Sequence, residues 1–342
     1  MSAFSRTLPA IAGFGPQIGR DLLEMSDDPA VLDTTGRWAV VQTFEGKLRC
    51  ARFANWSQSP PETHEIGVWS GPQMQSWQTS LDRATFLAGV REIRSRIAAG
   101  SVYQVNLCRT ISADLEHPDL ADPLALAQRV QSGNPAPFAG FLRLPGCGVV
   151  TASPELFLAR DGAAVQTGPI KGTGLNRAAM GAKDHAENIM IVDLMRNDLA
   201  QICEPGSIQV PRLVHPEEHP GLVHLVSDII GNLRPEATWA QILQALAPAG
   251  SVSGAPKHAA LGVISALEPV PRGPYCGVIG WVDADTQTAR LAVGIRTFWL
   301  EPDARLRFGT GAGITWGSDP ESEWEETELK ARRLLSLAQA VG

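Results

Sequence analysis

"GPYCGVIGWVDADTQTARLAVGIRTFWLEPDARLRFGTGAGITW", residues 273–316, decides the fold class. β-Branched and aromatic residues come in short runs, parted by Asp283-Ala284-Asp285-Thr286 and by Glu301-Pro302-Asp303-Ala304. Such runs, bounded by polar clusters, are strands meeting at turns. The stretch predicts three strands joined by polar turns, and strands joined so closely run antiparallel.

The same grammar recurs upstream. Residues 38–54, "WAVVQTFEGKLRCARFA", alternate apolar and polar around Glu45-Gly46 and predict a β-hairpin. Residues 146–173, "GCGVVTASPELFLARDGAAVQTGPIKGT", carry more short β-branched runs. Helical period appears at 81–100, where Phe86, Val90, Ile93 and Ile97 fall in register and Gly100 closes the run. It returns at 183–206, with Ile191, Leu194, Met195 and Leu199 on one side, and again at 320–341. Strands grouped and joined by hairpins as well as helices predict an α+β fold with large antiparallel sheets, not a doubly wound parallel one. Residues 55–80 are polar and contain prolines, the best linker candidate. The expected organisation is a short N-terminal segment, 1–78, packed on a core of 79–342.

At 342 residues the chain exceeds the usual single-domain size. Its 44% hydrophobic and 19% charged residues suit a globular protein with a substantial core. A net charge of −7 with scattered lysines and arginines argues against a nucleic-acid partner, which needs a concentrated basic face. The five cysteines lie far apart without metal spacing, and are expected to be reduced, buried thiols. No apolar run of about eighteen residues appears, so a soluble, cytoplasmic protein without a membrane partner is expected.

Several residues could carry chemistry. Lys171 stands alone between Pro169-Ile170 and Gly172-Thr173-Gly174. Flanking glycines let a ligand approach the backbone, although a solvated loop lysine fits the local sequence too. Glu155, in "SPELFL", is a candidate acid upstream of that candidate nucleophile. Asp184 and Glu187, and likewise Glu323 and Glu326, are three residues apart near helix starts. Such pairs share a helix face and could serve a hard cation such as Mg²⁺; the helix dipole alone also favours acids there. Four carboxylates around one dication overcompensate its charge. Glu187 and Glu326 are therefore expected as direct ligands, with Asp184 and Glu323 holding metal-bound waters. Arg296, expected at a strand end in "LAVGIRTF", suits bidentate capture of a carboxylate, and "GTGAGI" offers the amides of Ala312 and Gly313 to an anion.

The order of the segments "GSVYQVNLCR", "SPELFL", "GPIKGT", "AENIMIVDLMRNDL", "HLVSDI", "GSVSGAPK", "YCGVIGWV", "GIRT", "GAGI" and "EWEETELK" resembles the chorismate-utilising enzymes, over roughly residues 79–338. Within them, "PIKGT" is most similar to the large subunit of aminodeoxychorismate synthase. Anthranilate and isochorismate synthases look similar but carry alanine where this chain has Lys171. The resemblance implies two large antiparallel sheets packed as a sandwich with helices outside. It implies Mg²⁺ held by Glu187 and Glu326 against the ring carboxylate of chorismate. Arg296, Tyr275 and the Ala312-Gly313 amides match positions that hold the enolpyruvyl carboxylate, and Thr173 is expected beside the substrate. Glu155 matches the general acid/base, and His224 a histidine near the departing hydroxyl. Gln104 stands where water-adding relatives have a lysine, and a glutamine cannot act as a base. The implied reaction is amination of chorismate by ammonia to 4-amino-4-deoxychorismate, for para-aminobenzoate and folate, through a covalent Lys171 adduct at C2. The alternatives are an anthranilate synthase component I and a non-catalytic chorismate-binding protein. No cysteine–histidine arrangement of an amidotransferase is present, so ammonia is expected from a separate glutaminase subunit or from solution. "LLEM" at 22–25 only partly resembles the regulatory Leu-Leu-Glu-Ser of anthranilate synthases, and no tryptophan feedback is expected.

Overall fold

A computed structural model describes residues 8–174, 182–219 and 222–340. Strands β1 (Ile11–Phe14), β2 (Gln17–Ser26), β3 (Arg37–Gln42) and β4 (Leu48–Ser57) come first. β5 (Gln78–Thr79) leads into helix α1 (Arg83–Ala98), and β6 (Gln104–Asp114) into α2 (Pro123–Gly133). Next come β7 (Phe138–Leu144), β8 (Cys147–Ser153), β9 (Leu156–Asp161), β10 (Ala164–Gly168) and β11 (Ile170–Gly174). Helix α3 (Ala182–Ala200) precedes the paired strands β12 (Gln209–His219) and β13 (Leu222–Asn232). Then follow α4 (Trp239–Leu246), the four-residue α5 (Gly250–Ser253), β14 (Gly254–Ala255) and α6 (Lys257–Leu267). The chain closes with β15 (Val278–Asp283), β16 (Thr288–Val293), β17 (Thr297–Leu300), β18 (Arg305–Ile314) and α7 (Pro320–Ala338).

Helix boundaries follow local chemistry. Asp82 accepts from the Thr85 amide at 2.8 Å to start α1, and Gly100 at φ +74° lies just beyond its end. Asp319 caps α7 through the Ser322 amide at 3.0 Å, with Pro320 in its first turn. The predicted face of α1 is the buried one: Phe86, Val90 and Ile93 are fully covered.

The antiparallel expectation holds, while the two separate sheets take another form. Hydrogen bonds connect all eighteen strands among the described residues into one large, curled antiparallel sheet. One half runs β12–β13–β10–β9–β16–β15–β3–β4. The other runs β1–β7–β8–β17–β18–β6. Strand β2 pairs with both β4 and β1 and so ties the halves together. The first four strands are thus built into the sheet, and within residues 55–80 Trp69 is buried with its indole Nε1 on the Ala338 carbonyl at 2.9 Å.

Each half has its own core. Ile191, Met195 and Leu199 of α3 and Trp239 of α4 pack on the first half with Phe157 and Ile229. Leu124 and Val130 of α2 and Leu334 of α7 cover the second with Phe141, Phe298 and Phe308. A third cluster seats α1 and α6 against β6 and β18 through Phe86, Ile93, Ile264, Leu107 and Ile314. A buried side chain of this kind contributes about 1.5–3 kcal/mol, against about 0.2–1 for an exposed pair such as Arg96–Glu92, so the apolar faces decide where helices sit.

Residues 273–316 form four strands, not three. The strand end expected at Arg296 is a break between two strands: β16 stops at Val293, and Arg296 at φ +52° turns the chain into β17. That break is a crossover: β16 pairs with β9 in the first half, and β17 with β8 in the second. A second crossover, Ser153 to Leu156, runs beside it from β8 to β9.

Candidate active site

The two crossovers carry Glu155 and Arg296 and are bonded to each other. The Ala152 amide donates to the Arg296 carbonyl at 3.0 Å, the Val293 amide to the Glu155 carbonyl at 3.1 Å, and Ser153 Oγ to the Val293 carbonyl at 2.6 Å. Glu155 is 3% exposed, and its Oε1 accepts from Ser251 Oγ at 2.5 Å. The Arg296 guanidinium has no carboxylate partner among the described residues, and burial draws its pKa down. It stays protonated at any physiological pH, so a half-dry cation awaits an anion.

Strand pairing brings the lysine segment alongside. Gly168 is opposite Leu156, so "GPIKGT" starts next to Glu155. Strand β11 then pairs with β13, Ile170 opposite Val226 and Thr173 opposite His224, with a shift of register between them that spans Lys171. Such a bulge changes the direction in which a strand presents its residues. The side chains of Lys171, Thr173, Asp184 and His224 lie outside the described residues. Helix α3 is fastened to the same β13: Asn188 Nδ2 donates to the Leu225 carbonyl at 3.0 Å, and Ser227 Oγ to Asn188 Oδ1 at 2.5 Å.

From β13 the connections lead to the other acidic helix. Glu187 of α3 accepts from Thr315 Oγ1 at 3.4 Å, and Thr315 lies between β18 and the start of α7. On α7, Glu323 is buried, while Glu326 is half-exposed and paired with Lys330 Nζ at 2.6 Å. Lys330 also donates to the Gly311 carbonyl at 3.1 Å. Sequence reading missed Lys330; the i,i+4 spacing from Glu326 was the available signal. Ala312 and Gly313 lie in the β18–β6 ladder, opposite Leu107 and Asn106. Neighbouring ladder amides point to opposite edges, so one of the two serves β6 and the other faces away.

Two more predicted residues sit deeper. Gln104 is fully buried at the start of β6; its Nε2 reaches Asn106 Oδ1 at 3.5 Å, and its Oε1 is a buried acceptor without a partner among the described residues. Tyr275 is buried with its ring across Gly309, where a Cβ would fall 2.0 Å from it, and the Cys108 thiol approaches its Oη at 3.9 Å. Burial pushes the Tyr275 pKa well up, so its phenol keeps its proton. Among the described residues no three His, Cys, Asp or Glu side chains form a ready metal cage. Mg²⁺ needs only one or two protein carboxylates beside waters and substrate oxygens, so the absence of such a cage does not decide the matter.

A family model described as chorismate binding enzyme matches residues 45–336. The anthranilate synthase component 1 of Streptomyces coelicolor is 33% identical, across 97% of this chain and 70% of its own length. The aminodeoxychorismate synthase component 1 of Salmonella typhimurium is 36% identical, across 76% of this chain and 59% of its own. The anthranilate synthase component 1 of Saccharolobus solfataricus is 36% identical, across 78% and 64%. The chain therefore spans 59% to 70% of the length of these relatives. Anthranilate synthase component I from Streptococcus pneumoniae superposes with a TM-score of 0.73 at 25% identity, over 96% of this chain and 81% of that one. The menaquinone-specific isochorismate synthase of Escherichia coli shares the fold, with a TM-score of 0.78 at 20% identity over 98% and 90%.

Proposed function

The chain belongs to the family of chorismate-binding enzymes, and from that premise we propose that it aminates chorismate at C4 as the large subunit of an aminodeoxychorismate synthase. The observation that carries the reading is Lys171, in "GPIKGT", a segment that starts beside Glu155 and leaves register at the lysine. Amination at C4 with retention is difficult in one displacement and straightforward in two. The neutral Lys171 amine bonds to C2, the ring double bonds shift, and the C4–O bond breaks as Glu155 protonates the oxygen, so water departs. Ammonia then bonds to C4, the double bonds shift back, and the C2–N bond breaks to release the amine.

Arg296 holds the enolpyruvyl carboxylate in this scheme, with Tyr275 and the outward amide of the Ala312-Gly313 pair. His224 would act near the departing hydroxyl, and Thr173 would bind substrate. Gln104 offers an acceptor and no base, which disfavours activation of water at that position. Glu187 and Glu326 would hold Mg²⁺ directly, with Asp184 and Glu323 on its waters, and the ion would neutralise the ring carboxylate and help keep Lys171 unprotonated. Ammonia would come from a glutaminase subunit bound as a heterodimer partner, or from solution. The proposed setting is para-aminobenzoate synthesis in the cytoplasm.

The test is mass spectrometry of the products from chorismate, Mg²⁺ and ammonium at alkaline pH. The expected product is 4-amino-4-deoxychorismate, and without ammonia an adduct on the peptide containing Lys171. Lys171→Ala is expected to lose C4 amination while still binding chorismate, with a trace of C2-aminated product. C4 amination by that variant at near the parental rate overturns the covalent role. The second reading, anthranilate synthesis, is favoured by relatives of that name at 36% and 33% identity, and anthranilate as the main product decides for it.

A further inference from the structure

We propose that Asn106 and Arg272 form a clamp on α5 that positions Glu155 through Ser251, making Asn106 a positioning residue for departure of the leaving group. The proposal rests on the reading of Glu155 as the proton donor. Helix α5 has four residues, too few to satisfy its own carbonyls. Those carbonyls are buried, and buried acceptors need partners. Ser251 O accepts from Asn106 Nδ2 at 2.7 Å, and Val252 O from Arg272 Nη1 at 2.8 Å.

The two holders are themselves joined. Arg272 Nη2 donates to the Asn106 carbonyl at 2.9 Å, so one guanidinium fixes both β6 and α5. Its fork is set by Glu268, with Nη2 at 2.6 Å from Oε1 and Nε at 2.8 Å from Oε2, and by the ring of Phe44, 4.2 Å from Cζ. Glu268 Oε1 in turn accepts from the Cys108 amide at 2.8 Å, back on β6. Close approach of the next residues completes the seat: Gly254 has φ +143°, and a Cβ there would stand 2.2 Å from the Gln104 carbonyl. No side chain fits at that point.

A serine hydroxyl rotates freely, so its backbone position decides whether it reaches a partner. Here it reaches Glu155 Oε1 at 2.5 Å. With Oε1 accepting from Ser251, the transferable proton belongs on Oε2, and the clamp thereby selects which oxygen faces the leaving group. Asn106 is also the residue approached by Gln104 Nε2, so one amide connects the two predicted site residues at 104 and 155.

The experiment measures kcat and KM for chorismate consumption, which is independent of the carbon aminated. Its variants are Asn106→Ala, Ser251→Ala, their double, and Glu155→Gln. Glu155→Gln is expected to lower kcat by about 10²–10⁴-fold. Asn106→Ala and Ser251→Ala are each expected to lower it roughly tenfold or more with KM within about twofold, since misplacing a reacting group costs rate. Because both act along one path, the double variant should be no slower than the slower single. If the two factors multiply, or Asn106→Ala turns over at the parental rate, the clamp is wrong while Glu155 stands. If Glu155→Gln turns over at the parental rate, the reading of Glu155 fails and takes the clamp with it. Should Asn106→Ala not fold, Asn106→Asp keeps the shape, removes the donor and carries the same test.

Discussion

At the crossovers, Glu155 and Arg296 are held by the fold itself, whereas at the helix starts Glu187 and Glu326 are held by side chains that can let go. Glu155 is enclosed and bonded to Ser251, and the Arg296 carbonyl is locked to β8 while its backbone sits at φ +52°. Glu326, by contrast, keeps 49% of its side chain in water and pairs with a similarly exposed Lys330, and Glu187 has a long 3.4 Å contact with Thr315. Rigidity is concentrated at the crossovers. The proposed proton donor and the backbone that carries the substrate-gripping arginine are preorganised, and groups proposed to bind metal would acquire their order with the ion.

The largest effect expected from this contrast is at Arg296. Arg296→Gly removes the guanidinium and with it up to two charge-assisted bonds of about 1.5–3 kcal/mol each, so kcat/KM should fall by roughly a hundredfold or more. Left-handed backbone costs a non-glycine residue about 1–2 kcal/mol, which matches or exceeds the roughly 0.5–1 kcal/mol cost of glycine's extra freedom when unfolded. The variant should therefore melt at or above the parental temperature, and added Mg²⁺ should not restore activity. Thermal unfolding and steady-state kinetics check both halves. Parental affinity for chorismate, or a collapse of stability along with activity, breaks the contrast on its rigid side.

That residue also marks how far the sequence could be read. Local signals sufficed for α1, whose cap at Asp82 and apolar faces at Phe86, Val90 and Ile93 all act within a few residues. The hairpin around Gly46 and the acidic starts of α3 and α7 were legible for the same reason. A strand end at Arg296 was legible too, but the crossover into a further strand was not, because apolar residues continue on both sides and the turn depends on a backbone conformation that the residue type disfavours. Pairings such as β3 with β15 and β1 with β7 join segments distant in sequence, and no periodicity encodes them. At the site, charged and glycine-flanked residues stood out, whereas Asn106, Ser251 and Arg272 did not. Their importance comes from carbonyls left over on a four-residue helix, which appears only after folding.

The next effect tests the helix starts. Chelation with EDTA should abolish turnover, and Glu326→Gln should raise the Mg²⁺ needed for half-maximal rate by at least roughly 10–100-fold, since losing a group that only supports a ligand already costs that much. Unlike Arg296→Gly, this variant should recover at saturating Mg²⁺. Full activity in excess EDTA removes the metal from the scheme altogether.

The smallest effect is the most pointed. Lys330 Nζ lies 2.6 Å from Glu326 and 3.1 Å from the Gly311 carbonyl, with 47% of its side chain exposed. It can act in either of two ways: as a competitor that neutralises a carboxylate the ion must claim, or as a strut that holds that carboxylate ready. An exposed pair of this kind is worth about 0.2–1 kcal/mol, so the ion displaces the ammonium at small cost. Competition predicts that Lys330→Met binds Mg²⁺ tighter, by about one and a half to fivefold in half-saturating concentration. Salt screens the pair, so the advantage over the parent should shrink as ionic strength rises past about 0.15 M. Mg²⁺ titrations of both proteins at low and high salt measure this directly. If Lys330→Met instead needs more Mg²⁺, the lysine is a strut, and the helix starts are as firmly prebuilt as the crossovers.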